Sequence, residues 1–149
     1  MDNAHDISVL NTLIQTTIDS AKGFADACEE DTNAQHRRFF SQMADERSRC
    51  VTQLQSQVTA LGGEPEDSSS FAAAAHRGYM DLKQAVMGNS DEAIVEEVER
   101  GEDYLKAKYE AALQDGELSP ATRQVIEQAY QSVRKGHDTA SSMKHQMEG

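Results

Sequence analysis

The chain has 149 residues, a size that suits one domain around one core, and its 26 acidic against 14 basic side chains give a formal charge of −12. That balance argues against nucleic acid as a partner, since phosphate binding needs clustered Lys and Arg, and against anionic membrane surfaces. With 38% apolar and 5% aromatic residues, two prolines and no tryptophan, the composition favours strictly amphipathic helices over sheet.

A cytoplasmic, soluble protein is the expectation, with a salt-adapted source as the alternative explanation of the charge. No secretory-signal pattern is visible, and no apolar run approaches the roughly 20 residues of a bilayer span. Cys28 and Cys50 both fall on helix stripes. In an antiparallel hairpin they would lie roughly 19 Å apart at ~1.5 Å rise per residue. Both therefore read as small core side chains in a reducing compartment rather than as a disulfide.

Five helical segments follow from periodicity and punctuation. The first, 6–31, carries Ile7, Leu10, Ile14, Thr17, Ala21, Phe24 and Cys28 at alternating steps of three and four. The second, 33–61, opens on the capping-box spacing Thr32-Asn33-Ala34-Gln35. Its stripe is Phe39, Met43, Glu46, Cys50, Leu54, Val58 and Leu61, and Gly62-Gly63 supplies a left-handed stop. After a polar linker around Pro65 comes a shorter segment, 70–88, with Phe71, Ala75, Gly78, Leu82 and Val86 on one face.

Ser90 is placed to cap the fourth segment, 91–115, whose stripe is Ile94, Val98, Glu102, Leu105, Tyr109 and Ala112. Ser119-Pro120 restarts the chain with a capping Ser and Pro at the first helical position. The last segment, 120–147, carries Ile126, Ala129, Val133, His137, Ala140 and Met143 or Lys144. Two hairpins of long helices joined by a shorter helical crossover form an all-α, single-domain (1–149) four-helix bundle of the ferritin-like arrangement. The rival is a plain up-and-down array of five helices.

Two glutamates interrupt the apolar stripes. An ionised carboxylate out of water is costly unless it is paired, protonated or bound to a cation. In the crossover topology Glu46 lies ~20 Å, Glu102 ~17 Å and His137 ~15 Å below the same end of the bundle. Ferritin-like carboxylate proteins build metal sites at such a level, from Glu on two helices and Glu-x-x-His on the other two, and such ligands suit iron, manganese or zinc. Here Arg49 stands three residues after Glu46, and Arg134 stands three before His137, where His and Glu would be needed. Glu46, Glu102 and His137 thus remain as three candidate metal ligands of a degenerate site.

The competing reading is ionic. The second segment has Arg37, Arg38, Arg47 and Arg49 on its flanks, and the fourth is acidic, so interhelical pairs would satisfy both glutamates. Lys106 also follows Glu102 at i+4. Gly23, Gly78, Gly101 and Gly136 each weaken a helix by about 1 kcal/mol relative to Ala. They imply close approach around the central layer or small residues beneath the crossover. No phosphate loop, Cys-x-x-Cys or nucleophile with a base is present.

The stretch Leu61-Gly62-Gly63-Glu64-Pro65-Glu66-Asp67-Ser68, followed by His76-Arg77-Gly78-Tyr79-Met80-Asp81-Leu82-Lys83 and Glu99-Arg100-Gly101-Glu102-Asp103, resembles the bacterial domain-of-unknown-function 2383 family. Leu10-Asn11-Thr12-Leu13-Ile14 and Lys22-Gly23-Phe24 resemble it as well. The resemblance implies a ferritin-like four-helix bundle, a bacterial cytosolic setting and self-association, with no established reaction. The expected role is non-enzymatic, through a homodimer or a protein partner. A metal-binding or redox protein using Glu46, Glu102 and His137 is the alternative.

Overall fold

The computed structural model describes residues 3–67 and 91–148. Among them are four α-helices: α1 (Ala4–Glu30), α2 (Ala34–Ala60), α3 (Asp91–Leu113) and α4 (Pro120–Glu148). The expected crossover segment 70–88 and the Ser90 cap lie outside the described residues. Local chemistry sets the helix ends. Asn33, rather than Thr32, caps α2, its side chain accepting from the backbone N–H groups of Gln35 and His36. At the other end of α2, Gly62 adopts φ 86°. Gly62 N–H donates to Thr59 O at 2.9 Å and Gly63 N–H to Val58 O at 3.0 Å, the paired bonds of a Schellman stop. Ser119 caps α4 through a 3.4 Å bond from Thr122 N–H, with Pro120 in the first turn.

α1 packs most extensively on α2, and α3 on α4, as two hairpins. α1 also lies against α3 and α2 against α4, closing the four described helices into one bundle. At one end Thr32 donates its backbone N–H and its hydroxyl to the Asp91 carboxylate, at 2.9 and 2.6 Å. At the other end Asn3 Nδ2 donates to Leu61 O at 3.2 Å and Ser119 Oγ to Asp6 Oδ2 at 2.6 Å. The starts of α2 and α3 therefore share one end, and the two helices run parallel on a diagonal. The chain leaves α2 at the end opposite to where α3 begins.

The core has two apolar halves. One gathers Leu10, Leu13, Ile14, Val51, Leu54, Leu105, Tyr109 and Ile126. The other gathers Phe24, Phe40, Met43, Ile94, Val95 and Ala140. Phe24, Phe39 and Phe40 form a cluster with centroids 5.7 to 6.1 Å apart, and Tyr109 stacks on Tyr130 at 6.5 Å. Each fully buried side chain of this kind stabilises the fold by ~1.5–3 kcal/mol. Cys50 is buried, Cys28 is half-buried, and both thiols are free.

On two helices the buried stripe keeps most of the expected residues, among them Met43, Cys50, Leu54, Val58, Ile126, Ala129, Val133 and Ala140, and shifts by one position at Phe39, Glu46 and His137. In α2 the interior residues are Phe40, Met43, Arg47, Cys50, Val51, Leu54 and Val58. Phe39 and Glu46 sit at the edge. In α4 the interior position is Gly136, and His137 is only half-buried. α1 and α3 follow the expected phase, including buried Glu102.

Candidate functional site

Between the two apolar halves each helix contributes a polar or minimal residue: Ser20 from α1, Arg47 from α2, Glu102 from α3, and Ser132 with Gly136 from α4. Arg47 is fully buried and Glu102 is 2% exposed. Arg47 Nη1 donates to Glu102 Oε1 at 2.7 Å and Nη2 donates to Oε2 at 2.6 Å, a two-pronged pair. Nη1 also donates to Ser20 Oγ at 2.6 Å, Nη2 to the Ser132 carbonyl at 3.2 Å, and Nε to Ser132 Oγ at 3.4 Å. Each of the five guanidinium N–H groups thus has an acceptor. The guanidinium carbon also lies 5.1 Å from the centroid of the Phe24 ring, where the negative ring face favours a cation.

Gly136 makes this fit possible. A Cβ built there would stand 2.5 Å from Arg47 Nη2 and 2.6 Å from Glu102 Oε2. Gly23 and Gly101, also in helices, have nothing within 4 Å of the same atom. Among the described glycines inside helices, the need for a missing side chain is therefore particular to Gly136.

Glu46 joins the layer at its rim. Ser132 Oγ donates to Glu46 Oε1 at 3.0 Å, and Lys135 Nζ donates to Oε2 at 3.3 Å. Glu46, Ser132, Arg47 and Glu102 form one chain of contacts, with the guanidinium at the buried end. His137 lies outside that chain. Its Nε2 is 2.6 Å from Asp103 Oδ1 and its Nδ1 is 3.2 Å from Asp138 Oδ1. Burial pushes the His137 imidazole down, but the hydrogen bonds to Asp138 and Asp103 outweigh it and hold the pKa above its ordinary value. Below the layer, Thr17 Oγ1 donates to Leu13 O at 2.6 Å, so the Tyr109 hydroxyl donates to Thr17 Oγ1 at 2.7 Å. Burial pushes the Tyr109 phenol far up, keeping it protonated.

Glu46, Glu102 and His137 are not gathered as a ligand set. Among the described residues, one group brings three potential ligand atoms within 4.8 Å of one another: His5, Asp115 and Glu117, at the surface of the end where α1 begins. The central donor set does not fit a transition metal. Both Glu102 oxygens are held by a fixed cation, and the other donors facing it are neutral serine oxygens. A metal ion on Glu102 would be pressed against a buried positive charge or would leave that charge unpaired. Arg47 was the residue hidden from pattern reading, because hydropathy assigns it to a flank. The one signal for it was its i+4 spacing from Met43.

A polar layer at mid-height in a crossover-linked bundle of two hairpins defines the class: a ferritin-like four-helix bundle. The fold is similar to the crystal structure of a two-domain protein from Anabaena variabilis that contains DJ-1/ThiJ/PfpI-like and ferritin-like domains. That similarity has a TM-score of 0.77 at 12% identity, over 99% of this chain and 38% of that one. The chain belongs to the family described as Domain of unknown function (DUF2383), which it matches over residues 5–115. No curated protein matches it.

Proposed function

We propose that this bundle acts without catalysis, through its surface, as a homodimer or as the holder of a protein partner in the cytoplasm. The observation that carries this reading is the filled centre. At the level where a ferritin-like bundle would place reactive metal, the interior holds a guanidinium whose hydrogen bonds are all used, paired to Glu102. A non-reactive, fully satisfied interior leaves the exterior as the working part. That exterior carries the chain's charge of −12. Tyr104, on α3, is the exposed large apolar side chain among the described residues, at 56%. No described helix is long and apolar enough to cross a membrane.

Two measurements on one preparation test the reading. Protein purified without chelator is examined by elemental analysis and by light scattering. The expected result is less than stoichiometric iron, manganese and zinc, and the mass of two chains. Stoichiometric metal that is lost in Glu102→Ala or His137→Ala would overturn the reading in favour of a carboxylate–histidine metal protein. A strict monomer would remove self-association and leave the partner-binding form.

A further inference from the structure

We propose that the Arg47–Glu102 pair, seated in the gap left by Gly136, is a register lock. It selects the packing in which α2 and α3 run parallel at one relative height, and it contributes uniqueness to the fold rather than net stability. This inference concerns the construction of the bundle and does not depend on what the exterior binds.

α2 and α3 do not pack backbone against backbone, so no close helix–helix contact fixes their relative height. The two helices meet directly at one end, where Thr32 donates to Asp91, and otherwise through side chains in the centre. The apolar part of the core reads height through side-chain volume alone. Along α4 the interior positions are Ile126, Ala129, Val133 and Ala140. A slip by one turn, ~5.4 Å, still sets aliphatic side chains against aliphatic side chains, so its penalty is a mismatch of volume and not a buried charge. Repetitive apolar stripes leave several registers close in energy, and a buried polar group is the device best known to separate them.

The pair reads height from all four helices at once. Its two parallel N–H···O bonds, at 2.7 and 2.6 Å, need the guanidinium and carboxylate planes to face each other. Ser20 on α1 and Ser132 on α4 accept the remaining N–H groups of the same guanidinium. A slip of α2 or α3 by one turn would leave two buried charges without partners. A slip of α4 by three or four residues would bring Val133, Ser132, Thr139 or Ala140 to the place of Gly136. Each of these has the Cβ that this place excludes, since Arg47 Nη2 and Glu102 Oε2 lie 2.5 and 2.6 Å from where it would be. Gly136 is thus the α4 component of the lock.

The experiment compares Arg47→Met, Glu102→Leu and the double variant Arg47→Met/Glu102→Leu in the full chain. Each single variant buries an unpaired charge and is expected to lose melting temperature or to fail to fold. The double variant is expected to regain the wild-type melting temperature or exceed it. Its specificity is expected to suffer: a broader unfolding transition, extra or broadened amide resonances, and dye binding that rises several-fold. Two results would overturn the proposal. One is a double variant with a single sharp set of resonances and wild-type cooperativity, which would show that the apolar core sets register alone. The other is a double variant as destabilised as the singles, which would make the pair an ordinary stabilising contact.

Discussion

Replacing Gly136 by alanine places a methyl carbon 2.5 Å from Arg47 Nη2, 2.6 Å from Glu102 Oε2 and 2.8 Å from Met43 Cε. Met43 is flexible and can move aside. The guanidinium and carboxylate cannot, because each holds the other and the guanidinium is held in turn by Ser20 and Ser132. Helix propensity alone would favour the change by about 1 kcal/mol. Splitting the buried pair opposes it by about 3–5 kcal/mol. The net expectation is a loss of about 2–4 kcal/mol, a fall in melting temperature of roughly 5–15 °C for a chain of this size.

Gly23→Ala and Gly101→Ala provide the internal control. Neither new methyl meets anything within 4 Å. Each should gain about 1 kcal/mol and raise the melting temperature by about 2–4 °C. Thermal unfolding followed by circular dichroism reads all three variants. A Gly136→Ala protein that melts at or above wild type would show that the central pair tolerates a side chain on α4. The account of the polar layer would then be wrong.

Asp6→Ala removes a buried carboxylate that accepts the hydroxyl of Ser119 at 2.6 Å and its backbone N–H at 3.3 Å. The expected loss is about 1–3 kcal/mol in chemical denaturation. Burial pushes Asp6 up, but the hydrogen bonds from Ser119 and Thr122 outweigh it and hold the carboxyl below its ordinary 3.8. Its contribution is therefore present above pH 3.8 and lost as pH falls through the lower folded value. Asp6→Asn should flatten that acid limb, and an unchanged acid limb would refute the assignment. His137 behaves with the opposite sign. Its pKa is raised above 6.5, so its contribution is complete below pH 6.5 and is lost as pH rises through the folded value. The imidazole resonances should titrate above the ordinary value in wild type and move down in Asp103→Asn. A titration that does not move would refute the His137–Asp103 contact.

The helix ends were legible because their signals are local. Gly62 has the left-handed φ and Ser119-Pro120 starts α4, while the start of α2 was placed one residue early, at Thr32 instead of Asn33. α3 was largely legible: Ile94, Val98, Glu102, Leu105 and Tyr109 are buried as expected, while Val95 is buried beside Ile94 and Ala112 sits at the edge. α2 was less so. Phe39 and Phe40 are equally apolar, and Glu46 and Arg47 are equally polar, so steps of three and of four from Met43 both satisfy the period. What decides between them is the partner on another helix. Glu102 needs a cation, and Arg47 can reach it. The same ambiguity joins Gly136 to His137, where an imidazole draws attention and the absence of a side chain does not. The ionic alternative named the right kind of contact, and only the packed bundle could choose which arginine makes it.

The division of the core has an optical consequence. The chain has no tryptophan. Tyr109 and Tyr130 belong to the half near Leu13, and Phe24, Phe39 and Phe40 all belong to the half near Met43. With Phe71, Tyr79 and Tyr104 replaced by non-aromatic residues, near-ultraviolet dichroism would report the halves in separate bands, phenolic absorption for one and phenyl absorption for the other. The protein then carries intrinsic labels that reveal whether its two ends melt together or in turn.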